Sequence, residues 1–223
     1  MVLILMTTGE VLMVLMMTLR RHGISNVNSN ATLVCGVGTF GNGKHKSRCK
    51  KYDTWRQMLN RCYKFEKYKN NHVYSDVSVC DLWLEYQNFG DWYDENFYSV
   101  KDEHMSLDKD ILTKHNRIYS PENCIFVPKP INSLFTKDNI ARGKYPIGVD
   151  FHKQKGLFRA RCSNLILGKS NITIGEYTTV EEAFYAYKNY KEKLIKQIAD
   201  VYREYIPVRL YQALYKYEVE ITD

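Results

Sequence analysis

Arg159 and Arg161 stand on alternate residues of the run Leu157-Phe158-Arg159-Ala160-Arg161-Cys162-Ser163. Successive side chains of a strand point to opposite faces, so this run predicts one apolar face, Phe158, Ala160 and Cys162, and an opposite face bearing both guanidinium groups. A guanidinium presents planar donors that match guanine edges and phosphate oxygens. A sheet face built this way is what contact with DNA requires. Lys153, Lys155 and Lys169 flank the same run. A second cationic set, Lys44, Lys46, Arg48, Lys50 and Lys51, follows Gly36, Gly38, Gly41 and Gly43 and predicts a flexible basic loop. Several cations close together give a sequence-independent hold on a phosphate backbone.

The charge is organised in blocks. The 223 residues carry a net charge of +7, and residues 44–69 hold ten Lys/Arg against two acids. Residues 76–110 reverse this with ten acids against two lysines, and residues 111–175 return to eleven Lys/Arg against three acids. Two basic blocks around an acidic one predict two phosphate-contacting surfaces or one composite surface. The reading requires cations from the two separate stretches to line up along a single groove-shaped face that is not interleaved with carboxylates. At 44% hydrophobic and 26% charged, the composition excludes wholesale disorder. Cys35, Cys49, Cys62, Cys80, Cys124 and Cys162 form no C-x-x-C pair, which argues against a disulfide framework or a four-thiolate zinc site and for reduced, mostly packed thiols in a cytoplasmic protein.

The elements that must position these residues follow from periodicity. Trp55, Met58, Leu59 and Cys62 fall at i, i+3, i+4, i+7 and predict a helix over 52–63. Residues 77–97 read as a short strand at Val77 and Val79 and then a helix with Leu82 or Trp83, Tyr86, Phe89 or Gly90 and Tyr93 inward. Met105–Leu112 alternates as a strand, Tyr119–Asn123 is a turn, Cys124–Val127 a second strand, and Pro130 opens a helix through Ile131, Leu134 and Phe135. Ile147–Phe151, Leu157–Ser163 and Asn171–Tyr177 read as three antiparallel strands. Thr179-Val180-Glu181-Glu182 is a capping box that starts a long helix, Pro207 stops it, and a short helix over 208–215 follows. Residues 1–19 are apolar but interrupted by Thr7, Thr8, Gly9 and Glu10, so 1–34 is read as a tail outside the folded unit and not as a membrane span.

Two strings resemble known families. Leu107-Asp108-Lys109-Asp110, Tyr119-Ser120-Pro121-Glu122-Asn123-Cys124 and Asn132, with Trp55, Met58, Arg61-Cys62, Trp83 and Phe89 upstream, resemble phage-borne proteins related to HNH homing endonucleases. The resemblance implies a ββα-metal hairpin and helix. Within it Asp108 matches the metal-binding Asp of the first strand, Asn123 the Asn that braces the loop, and Asn132 the helix residue that completes the site for one Mg²⁺ or Mn²⁺. Lys109 stands where the family carries its general-base His, and Asp110, His115 or His104 are the stand-ins. Gly148-Val149, Leu157-Phe158-Arg159-Ala160, Ile174-Gly175-Glu176-Tyr177-Thr178-Thr179 and Glu181–Tyr187 are similar to the Apetala-type DNA-binding domain, which lays a three-stranded sheet in the major groove.

Together these give an α+β expectation: a helical N-terminal part, a hairpin-helix unit of the HNH kind within 35–140, and a three-stranded antiparallel sheet on one long helix within 141–223. The expected partner is double-stranded DNA, with no small-molecule substrate and no membrane. The implied activity is metal-dependent phosphodiester hydrolysis through Asp108, Asp110, His115, Asn123 and Asn132, with Asp108 and Asn132 on the metal. Its alternative is a DNA-binding regulator that keeps the fold but lacks the base, and a further alternative is a protein-interaction factor.

Overall fold

The structure, a computed structural model, describes residues 33–64, 76–135, 144–164, 166 and 168–223. The expected tail and Lys137 to Arg142 of the second basic block lie almost wholly outside the described residues. Helix α1 (Lys50–Tyr63) buries Trp55, Met58, Leu59 and Cys62, the stripe read from the sequence. Strand β1 (Ser78–Val79) leads into α2 (Asp81–Leu84) and α3 (Tyr86–Asn96). The expected single helix breaks at Glu85, which is extended, because Thr39 pairs there: Thr39 N donates to Leu84 O and Tyr86 N to Thr39 O. Trp83 faces inward and Leu82 stands in solvent.

Strand β2 (Met105–Asp108) pairs antiparallel with β4 (Ile125–Pro128), with Asp108 opposite Ile125, and α4 (Lys129–Ser133) follows with a proline in its first turn. The strand read over 105–112 stops four residues early. The Asp108 carboxylate captures the backbone N–H of Asp110 and of Ile111 at 2.9 and 2.8 Å, which turns the chain out of the ladder. Between the two strands, β3 (Ile118–Tyr119) pairs in parallel with β1, a long-range match that local patterning does not reveal.

Strands β5 (Val149–His152), β6 (Leu157–Asn164) and β7 (Lys169–Tyr177) form an antiparallel sheet in that order. It packs on α5 (Val180–Tyr202), whose Thr179 and Glu182 form the expected capping box, and α6 (Val208–Lys216) closes the chain. The protein is therefore α+β, with N-terminal helices, small sheets and a three-stranded sheet on a long helix. Among the described residues no helix is long and apolar enough to cross a membrane.

Two cores meet at the β2–β4 hairpin. Leu107, Cys124 and Phe126 pack with Trp55, Trp83, Phe89 and Trp92 on one side. Ile125, Val127, Ile131 and Leu134 pack on the other with Val149, Ala160, Phe184, Ile195 and Leu214. Strand β4 is buried along its whole length, so alternate residues serve different cores, and at roughly 25 cal/mol per Å² of apolar surface this strand ties the two cores together. All six cysteines are free thiols; Cys62, Cys124 and Cys162 are buried and the other three half-buried.

Candidate nucleic-acid interface

The β6 alternation falls as read: Ala160 and Cys162 are buried, and Arg159 and Arg161 stand on the opposite face of the sheet. Register places Asp150 of β5 and Glu176 of β7 on either side of Arg159. Arg159 Nε donates to Asp150 Oδ1 at 2.7 Å, and Arg161 Nη1 donates to Asp150 Oδ2 at 2.9 Å. One carboxylate thus holds two guanidinium groups. Burial pushes the Asp150 carboxyl up, but the two arginine hydrogen bonds and charges together pull it below its ordinary value. Lys155 Nζ bridges both oxygens of Glu176 at 2.9 and 2.8 Å.

The face is therefore not purely cationic. Asp150 and Glu176 interleave with Lys155, Arg159 and Arg161, so the condition set by the sequence reading, a cationic face without interleaved carboxylates, is not met on this sheet. Asp150 does not cancel the arginines as ligand groups, because it uses one N–H-bearing nitrogen of each. Nη1 and Nη2 of Arg159, and Nε and Nη2 of Arg161, make no hydrogen bond among the described residues. Their planes are fixed by the shared carboxylate, so fewer rotamers are lost on contact with a ligand. Lys153 is exposed and makes no ion pair among the described residues, and Lys169 lies in β7 opposite Asn164.

The N-terminal loop is docked, which corrects the expectation of a flexible one. His45, 7% exposed, seats against Gly90 of α3, where no side chain would fit. Its backbone N–H donates to Gln87 Oε1 and its carbonyl accepts from Gln87 Nε2. The Lys51 ammonium can only donate, so His45 Nδ1 accepts from it at 2.9 Å, and Nε2–H donates to Asp91 at 3.0 Å. Lys44 pairs with Asp91 and Lys51 with Asp94. These two lysines hold the loop to α3, which leaves Lys46, Arg48 and Lys50 exposed and without an ion pair among the described residues. The docking histidine escaped the sequence reading; its only signal there was an apolar-face glycine, Gly90, one helix away.

The five residues expected around the hairpin divide among four places. Asp108 lies at the end of β2 with its Oδ1 committed to two backbone N–H groups. Burial and then the neighbouring Asp110 charge push its carboxyl up to about 6. Lys109, 7% exposed, donates to Asp110 Oδ2 at 3.0 Å and to Asn116 O at 3.1 Å, while Asn116 Nδ2 returns a bond to Lys109 O. Lys109 is a clamp on the loop and makes no base. Asn123 braces the turn before β4 by donating to Ser120 Oγ at 3.1 Å.

His115 points elsewhere. It lies 3.4 Å from Glu220, in a group with Asp223 whose ligand atoms all fall within 4.8 Å of one another. The Lys114 ammonium already sits among those carboxylates, 3.1 Å from Glu220 and 2.9 Å from Asp223. Asn132 lines an open depression of about 280 Å³ with His104, Ser106, Lys129 and Ser133, and Asp108 is not on its lining. That depression offers an ammonium, an imidazole, an amide and two hydroxyls but no carboxylate. A divalent ion held by Asp108 and Asn132 does not fit this donor set, because hard cations take anionic oxygens and are repelled by the Lys129 ammonium, which makes no ion pair among the described residues. No family model, curated protein or solved structure matches this chain.

Proposed function

We propose that the chain is a double-stranded DNA-binding protein of phage or mobile-element type, with an Apetala-like sheet as its reader. The observation that carries this reading is the outer face of β5–β7, where one aspartate orients Arg159 and Arg161 and leaves two donor nitrogens of each available. That arrangement suits bidentate contact with phosphate or guanine better than it suits a protein partner, since the face carries Lys155, Arg159 and Arg161 against Asp150 and Glu176. Fluorescence anisotropy of a labelled duplex tests it. Arg159→Ala/Arg161→Ala is expected to weaken binding at least tenfold, since each lost charge-assisted contact is worth about 1–3 kcal/mol. Unchanged affinity in that variant overturns the reading.

The order of β2, β4 and α4 supports a second reading, the HNH-like hairpin with metal-dependent phosphodiester hydrolysis. The buried Lys109 at the base position and the missing carboxylate in the Asn132 depression weigh against it. Nicking of plasmid DNA with Mg²⁺ or Mn²⁺, lost in Asp108→Ala, would establish hydrolysis; the geometry predicts no nicking by either protein.

A further inference from the structure

We propose that the depression between β2 and α4 is a metal-free notch for a phosphate group, occupied on the DNA-binding reading by a backbone phosphate of the duplex. The inference rests on that reading for its biological ligand but on independent geometry for its chemistry. The lining residues are His104, Ser106, Lys129, Asn132 and Ser133. Every one of them carries a group able to donate a hydrogen bond, and none carries a carboxylate. Among the described residues the Lys129 ammonium makes no ion pair, and the His104 ring and Ser106 hydroxyl make no hydrogen bond. The Ser133 hydroxyl donates to Pro130 O at 2.7 Å, so the donors the notch offers without a partner among the described residues are those of Lys129, His104 and Ser106.

The backbone places these groups together. Lys129 N donates to His104 O at 2.8 Å, which locks the start of α4 beside the entry to β2. Ser106 lies two residues on along the same strand, and Asn132 and Ser133 follow in α4. Asp108, on the same face of β2 as Ser106, turns its Oδ1 onto the backbone N–H groups of Asp110 and Ile111 and is not on the lining. About 280 Å³ holds a phosphate group with its waters. An open, polar site lined by no carboxylate and by one ammonium without an ion pair among the described residues suits an anion.

Two measurements on the full chain decide it. In the first, inorganic phosphate is titrated into isotope-labelled protein and followed by NMR. Shifts at His104, Ser106 and Asn132 in the wild type that vanish in Lys129→Glu are expected; Lys129 is exposed, and glutamate is well tolerated in a first helical turn, so the variant keeps its fold. Absence of those shifts overturns the proposal, and so does paramagnetic broadening of the same signals by Mn²⁺, which would make the site a cation site. In the second, Lys129→Ala is expected to make the salt dependence of duplex binding shallower by about 0.9 in log K against log salt, the value for one phosphate contact. An unchanged slope together with phosphate shifts assigns the notch to free phosphate and removes the DNA backbone as its ligand. Failure of the wild type to bind any duplex would remove the DNA-binding reading, while the phosphate titration would still decide the notch.

Discussion

Asp150 shows how one side chain changes what its neighbours can do. Alone, Arg159 and Arg161 would each sample many rotamers; shared by one carboxylate, they hold their planes toward solvent. The Asp150 carboxyl is lowered in the folded protein because the arginine contacts outweigh the effect of burial. A carboxyl whose folded pKa lies below its unfolded value, ~3.9 for aspartate, adds stability that is present above that value and lost as pH falls through the folded one. Asp150→Asn is therefore expected to cost about 0.5–1 kcal/mol at neutral pH, the range for a partly exposed pair, and nothing once the native carboxyl is protonated. Urea unfolding at neutral and strongly acidic pH measures both, and a cost that persists in acid contradicts it. Lys109 makes the complementary point. The sequence places it beside Asp108 and cannot say where its ammonium goes; the fold buries it on Asp110 and Asn116 O.

At the scale of elements, periodicity carried most of what the sequence revealed. The α1 stripe, the capping box at Thr179 and the in-out alternation of β6 are local, because each depends on residues at most seven apart. The features that escaped depend on distant partners: β3 against β1, Thr39 inserted at Glu85, and His45 seated on Gly90. The paired carboxylates of the sheet escaped for the same reason, since the β5–β6–β7 register is not written in any one strand. Gly148 links the sheet to α5. Its φ of 76° lies in the left-handed region, and a Cβ there would run into the Tyr187 ring. Gly148→Ala is expected to cost about 2–4 kcal/mol, strain and overpacking combined. Gly156 has a φ of 67° but open space around it, so Gly156→Ala meets backbone strain alone and is expected to cost about 1 kcal/mol. Equal losses in urea denaturation of the two variants would show that Tyr187 does not pack on Gly148 as described.

Across the whole molecule, the basic blocks of the sequence are trimmed by the fold. Lys44 and Lys51 are taken up by α3, and Lys155 by Glu176, so the cations able to meet phosphate are fewer than composition suggests. Among the described residues of the two basic stretches, those that remain include Lys46, Arg48 and Lys50 at and before the start of α1 and Lys153, Arg159 and Arg161 around the sheet. The N-terminal stretch reaches the rest through the aromatic core, and the sheet through the second core, with β4 shared between them. Destabilising that strand would therefore disturb both cationic sets at once.

The most direct test of DNA binding is the salt dependence of affinity for a duplex of arbitrary sequence. Displacing condensed counterions from about four to six phosphates gives a slope near −4 to −5 in log K against log salt. For Arg159→Ala/Arg161→Ala the slope is expected to be shallower by about two, since each lost phosphate contact removes about 0.9. A wild-type slope near zero would contradict the account.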